Sequence, residues 1–324
     1  MVAFFQAQLQ AADVKAKARE FGADLVGIAD GKALNENPGG KGRPRDITEH
    51  DSDRVIVLAK HINAGTTRIM PWNDRMKYYN DELAITALEE MALSLVYWLE
   101  DQGYPALIVP PTQVDPWEYG GDPNQHMENL ISLPHAAVQA GLGTLGLNLQ
   151  LLTPQFGPRV ILTAVLTSAP VECDAPMAQA LCLGPACGRC SKACPGDVVK
   201  HWDRDWQACD RYRSPHGFAA LTDHMSAIIA AGDPAKQAEM LRSKESFDIW
   251  QSILRGSGVI TGCRRCQDVC PVGDDYERML KDALDAIPED SPEKTARLQA
   301  MADAEGAGKL PPGYGERARW IGAR

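Results

Sequence analysis

The chain has no surplus of basic residues. Its 33 Lys and Arg are outnumbered by 43 Asp and Glu, giving a formal net charge of −10 over 324 residues. A nucleic-acid or other polyanionic partner is therefore not favoured, although a local basic groove stays open. Nor does the sequence contain the run of about eighteen consecutive apolar residues that a membrane-spanning helix requires. Met1 to Gln10 shows neither a basic region followed by an apolar stretch of signal length nor a twin-arginine pair. These absences lead to the expectation of a cytoplasmic protein without a membrane span. An apolar content of 44% is enough for a sizeable core, and at roughly 100 to 200 residues per domain the length predicts two domains.

Cysteine, by contrast, is plentiful and clustered. Eight of the nine lie between Cys182 and Cys270. The first run is Cys182-x4-Cys187-x2-Cys190-x3-Cys194-Pro195 and the second Cys263-x2-Cys266-x3-Cys270-Pro271, with Cys209 alone between them. A [4Fe–4S] cluster takes four thiolates, and in two-cluster ferredoxins the Cys before Pro serves the other cluster. That arithmetic assigns Cys182, Cys187, Cys190 and Cys270 to one cluster, and Cys194, Cys209, Cys263 and Cys266 to the other. Cys173 is left over. Structural zinc also uses Cys-x2-Cys pairs, and disulfides are a further reading, but neither accounts for the x3-Cys-Pro endings.

Along the chain, Val14 to Phe21 has helical spacing and Ala23 to Ala29 reads as a strand. Residues 31 to 52 are rich in Gly, Pro, Asn and charge and read as a surface loop. A buried strand at Arg54 to Ala59, a long helix from Asn80 to Gln102 and a strand at Ala106 to Val109 follow. Pro110 to Asn129 is a long irregular connection carrying Trp117, Tyr119 and His126, and such loops are often functional. Leu133 to Ala140 is helix-like and precedes Gly141-Leu142-Gly143-Thr144-Leu145-Gly146. This has G-x-G-x-x-G spacing, but a dinucleotide fingerprint needs a strand before it. The glycines are better read as letting backbone come close to a large flat ligand or another segment. Leu149 to Leu152 and the β-branched run Arg159 to Thr167 read as strands. Residues 281 to 324 read as a polar surface tail with one helical stretch.

The block Leu133-Pro134-His135-Ala136-Ala137-Val138-Gln139-Ala140-Gly141-Leu142-Gly143, continued by Leu152-Thr153-Pro154-Gln155-Phe156-Gly157-Pro158-Arg159-Val160, resembles the core of corrinoid-dependent iron–sulfur reductases. Reductive dehalogenases and epoxyqueuosine reductases carry this block, with a two-cluster ferredoxin module downstream and a lone Cys between its runs. The resemblance implies an α+β chain. Residues 1–170 would form a nitroreductase-like corrinoid-binding α/β domain, and 171–280 a ferredoxin-like two-[4Fe–4S] module with a helical insert at 211–258. Residues 281–324 would be a C-terminal tail. It also implies cobalamin held base-off between sheet and module, and no D-x-H-x-x-G signature for a cobalt-ligating histidine is present.

Departures accompany the likeness. Thr144 stands where similar proteins commonly have an acidic residue or Trp, and Leu147 where they have a basic one. The Asp-Thr/Ser-x-Pro motif of epoxyqueuosine reductases is missing, and His126 to Pro134 looks more like the dehalogenase pattern. The first cysteine spacing is x4 instead of x2. The resemblance implies a cobalamin-dependent reductase acting on a small organic substrate, with an epoxyqueuosine reductase or a corrinoid-free electron-transfer protein as alternatives. Tyr119 and His126 are candidate proton donors. Candidate corrinoid contacts are His135, Gly141, Leu142, Gly143, Gly146, Asn148, Thr153, Gly157 and Arg159; structural roles for His135 and an acid partner for Arg159 are the competing readings. Asp274 and Asp275 read as a solvated turn. Electrons would come from a separate low-potential donor, ferredoxin or flavodoxin-like.

Overall fold

The computed structural model describes residues 8–36, 43–69, 74–112, 119–125, 129–255 and 262–324. In chain order the strands are β1 (Leu25–Asp30), β2 (Arg54–His61), β3 (Ala106–Val109), β4 (Thr144–Leu145), β5 (Leu151–Leu152), β6 (Val160–Thr167), β7 (Val199–Lys200) and β8 (Asp203–Arg204). The main sheet runs β1-β2-β6-β3 with every neighbouring pair antiparallel, while β4 pairs with β5 and β7 with β8. The helices before the cysteines are α1 (Ala11–Glu20), α2 (Gly31–Asn35), α3 (Pro44–Ile47), α4 (Ala64–Thr67), α5 (Asp74–Asp101) and α6 (Leu133–Gln139). Short helices α2 and α3 thus replace part of the loop that the sequence predicts over 31 to 52.

Period-two alternation in β2 explains how the sheet separates two cores. Ile56 and Leu58 face α1 and α5, packing with Val14, Ala18, Leu88, Leu95 and Leu99. Val55, Val57 and Ala59 face the other way, onto α6 and the cysteine loops. Both faces are apolar, so β2 reads as a continuous hydrophobic run.

The cysteine region adds α7 (Arg189–Lys192), α8 (Trp206–Arg213), α9 (Phe218–Ala230), α10 (Pro234–Leu241), α11 (Lys244–Arg255) and α12 (Arg265–Asp268). The insert is α9 to α11. After it come α13 (Lys281–Leu284), α14 (Pro292–Gly306) and α15 (Tyr314–Ile321). These last helices correct the surface-tail expectation. Leu298, Trp320 and Ile321 are buried in the same apolar cluster as Val55, Val57, Cys194, Trp202 and Cys209. Lys294 donates to the carbonyls of Lys192 and Cys194 at 2.8 and 2.9 Å. The segment is polar on average, which hides a few apolar side chains placed where they meet the cysteine loops. One core therefore runs from the sheet through the cysteine region into the last helix, with no break near residue 170.

Candidate functional site

Among the eight cysteines, burial raises the pKa of Cys182, Cys190, Cys263, Cys266 and Cys270. It pushes the thiols of Cys263 and Cys270 up to about 12, and Cys190 well above its ordinary value. Cys270 then feels Cys182 and Cys187. Cys263 feels Cys266, Cys194 and Cys209, and Cys266 feels Cys209 and Cys194. Cys190 feels Cys266 and then Cys270, Cys182 and Cys187. Cys173 packs instead with the core beneath α1 and α5.

Several donors point at these sulfurs. The backbone N–H groups of Leu147 and Gly184 lie 3.4 and 3.3 Å from Cys182 Sγ, and that of Val198 lies 3.3 Å from Cys194 Sγ. The two extra residues of the x4 spacing form a tight turn at Gly184–Ala186, and it is this turn that supplies the Gly184 donor. Asp205 caps α8 by accepting from the Ala208 N–H at 2.9 Å, which sets Cys209 in the first turn, buried. Among the described residues, no three Cys, His, Asp or Glu side chains converge on one ion-sized point. N–H donors aimed at the sulfurs suit thiolates that ligate a metal centre, of which zinc and a [4Fe–4S] cluster are the two kinds weighed.

The residues expected to contact a corrinoid are engaged with protein. Arg159 is fully buried: Nε and Nη2 donate to Asp275 at 2.7 and 2.6 Å, Nη1 to the Gln267 and Cys270 carbonyls, and Nη2 also to Val272. Asp275 is thus buried, correcting its reading as solvated, while Asp274 is exposed. Asn148 Nδ2 donates to the Cys266 carbonyl at 3.1 Å. Thr153 Oγ1 donates to the Gly157 carbonyl. His135 contacts Ser132 Oγ and meets the Trp320 ring edge-on at 4.6 Å; burial, then Arg319 and Arg317, hold its pKa down to about 4.

The glycines are also closed by protein. A Cβ on Gly143 would lie 1.8 Å from the Leu152 carbonyl oxygen, and one on Gly157 1.9 Å from that of Val272. Gly141 approaches Ala175 and Gly146 approaches Asn148, while Leu142 lies over Gly27. The close-approach half of the glycine reading therefore holds, with the other segment being the chain itself. These side chains do not fit the role of corrinoid contacts. Leu147, only 1% exposed, sits in the core at the β4–β5 turn, where a charged residue would be costly to bury.

Of the proton-donor candidates, Tyr119 is exposed and meets Phe218 of the insert edge-on at 5.7 Å. His126 lies outside the described residues. Sequence reasoning missed a buried ionic network tying α5 to the second cysteine run: Lys77 to Asp268 at 2.9 Å, Arg264 to Asp268 at 3.2 Å, and Arg264 to Asp81. Burial pushes the Asp81 carboxyl up, with Arg264 opposing it. It also missed Arg204, which donates to Cys209 Sγ at 2.8 Å. Neither carries a spacing that would mark it.

No family model matches the chain. An epoxyqueuosine reductase from Listeria monocytogenes is 28% identical over 154 residues, 47% of this chain and 32% of that protein. Two structures of the catabolic reductive dehalogenase NpRdhA align over 95% of this chain and 37% of theirs at 17% identity, with TM-scores of 0.53 and 0.51. An epoxyqueuosine reductase solved with an epoxyqueuosine-modified tRNA stem loop gives 0.46 at 16% identity. The chain thus spans about a third of the length of the curated relative and of the dehalogenases it matches. The sequence match to an epoxyqueuosine reductase corrects the expectation against nucleic acid, and a negative total charge does not describe one face. Among the described residues no helix is long and apolar enough to cross a membrane. The chain thus resembles reductive dehalogenases in fold and, over 154 residues, an epoxyqueuosine reductase in sequence.

Proposed function

We propose that the chain is an oxidoreductase that carries electrons through two [4Fe–4S] clusters. One would be held by Cys182, Cys187, Cys190 and Cys270, the other by Cys194, Cys209, Cys263 and Cys266. The observation that supports this reading is the pair of Cys-Pro-closed cysteine runs, with backbone N–H groups aimed at the Cys182 and Cys194 sulfurs and the Arg204 guanidinium at that of Cys209. The clusters would supply one-electron steps at low potential, down to about −700 mV for this cluster type. The protein's part is to hold the sulfurs, exclude water and aim N–H donors at them. The electron source in this reading is a separate low-potential donor, ferredoxin or flavodoxin-like.

What the electrons reach is the finer part of the reading. A dehalogenase-like reduction of a small organic substrate is supported by the fold, and an epoxyqueuosine reductase-type reaction on tRNA by the sequence match. The superfamily points to cobalamin as acceptor, and a solved relative is described in terms of B12-dependent dehalogenation. The described candidate contacts leave few groups free for it, so no step is assigned through it here.

Iron and sulfide analysis of anaerobically purified protein tests the cluster reading: about eight of each per chain are expected, and four or fewer would refute it. Ultraviolet–visible spectra with and without added cobalamin test the acceptor. Turnover of an epoxyqueuosine-containing stem loop against a halogenated phenol separates the two substrate readings.

A further inference from the structure

Arg204, the last residue of β8, is a buried cation that makes no ion pair with a carboxylate among the described residues. It is 8% exposed. Nη2 donates to Cys209 Sγ at 2.8 Å, Nη1 donates to the Asn148 carbonyl at 3.2 Å, and the guanidinium stacks 4.6 Å above the Trp206 ring. Its Nε is buried without a hydrogen-bond partner. Burying an unpaired guanidinium costs several kcal/mol, so an anion is required nearby. The groups that supply it are the sulfurs of Cys266, Cys209 and Cys194, all from the second set.

The first set is built differently. Its sulfur donors are backbone N–H groups, as at Cys182. Arg189, beside Cys190, spends its donors on the Val269, Leu284 and Asp285 carbonyls and the Tyr276 hydroxyl and not on a ligand sulfur, and the cations that act on the Cys270 and Cys182 thiols are Arg159 and Arg324. Each is already neutralised: Arg159 by Asp275, and Arg324 by Glu305 at 2.8 Å. Reducing a cluster adds one electron and hence one negative charge to an already anionic centre. A fixed, unneutralised cation that also donates to a ligand sulfur favours that more negative form.

We propose that Arg204 sets the second cluster at a higher reduction potential than the first, so that it is reduced first. The effect comes from the charge-assisted N–H···S bond to Cys209, with the unpartnered Nε available to a sulfide of the same cluster. The inference rests on the two-cluster reading. No side chain is oxidised: the electron enters from an external reductant and resides on iron.

The test is a redox titration of the full chain followed by electron paramagnetic resonance, with iron counted in every sample. Wild-type protein should reduce in two separated steps. In Arg204→Gln with full iron, the upper step should fall by at least a tenfold drop in the reduced-to-oxidised ratio at fixed potential, about 59 mV for one electron. Arg204→Lys, which keeps the charge but not the planar fork, should lie between. An unmoved upper step in Arg204→Gln overturns the proposal. A second measurement does not depend on those variants: in Cys209→Ala, the surviving cluster should titrate at the lower wild-type potential, and survival of the upper step overturns it. A wild-type iron count of four or fewer instead sinks the two-cluster reading itself.

Discussion

Both nitrogens on one edge of the Arg159 guanidinium meet both oxygens of Asp275, 116 residues further along the chain, at 2.7 and 2.6 Å and out of contact with solvent. The pair fastens β6 to the segment that follows Cys270. Removing one partner leaves a buried charge without compensation, which typically costs about 3–5 kcal/mol. Arg159→Leu and Asp275→Leu should each destabilise on that scale, and the double variant should recover a good part of the loss. Chemical denaturation of all three checks this. Additive single effects would show the pair to be energetically uncoupled.

Cys209 lies alone in sequence yet within the second sulfur group. Cys209→Ala should reduce iron by about half, whereas Cys173→Ala should leave it unchanged. Equal iron in both variants would remove Cys209 from the ligand set.

Gly143 faces the Leu152 carbonyl oxygen, with room for hydrogen only. A methyl group there must part β4 from β5, so Gly143→Ala should cost at least the roughly 1–3 kcal/mol of ordinary overpacking. Gly306, near the end of α14, has nothing within 4 Å of its virtual Cβ. Gly306→Ala should be neutral or stabilising by up to about 1 kcal/mol. Thermal melts of the pair separate close approach from chain flexibility.

His135 imposes a pH dependence on folding. Its pKa is held down to about 4 in the fold by burial and by Arg319 and Arg317, against 6.5 ordinarily. Between these values the unfolded chain binds the proton and the folded one does not, so acid favours unfolding. Stability should fall as pH drops from about 6.5 to 4, by on the order of 3 kcal/mol in total. His135→Gln should flatten that slope in urea titrations at pH 7, 5.5 and 4.5. An identical slope in the variant would assign the acid sensitivity elsewhere.

The sheet was legible because its strands are β-branched runs: Ala106–Val109 agrees at both ends, and the long helix starts at Asp74 instead of Asn80 and ends one residue earlier than expected, at Asp101. Cysteine spacing made the candidate ligands legible because it is a local pattern with few chemical solutions. Elements α2 and α3 were not legible, being too short for a periodic signal. Asp275 read as solvent-facing because a carboxylate beside another in a turn gives no hint of an arginine 116 residues away. Arg204 is the same case, since the stacking on Trp206 and the bond to Cys209 exist only once α8 is in place. Trp320 and Ile321 were lost in the average polarity of their surroundings.

The crossed sulfur groups also bear on how the protein is made. On that pairing the first cluster lacks its fourth ligand until Cys270 has been synthesised, and the second waits for Cys263 and Cys266. On the same pairing, neither centre would be completed before residue 270 has been synthesised, so both insertions would wait for the second cysteine run and precede or accompany the closing of α14 and α15 over the loops.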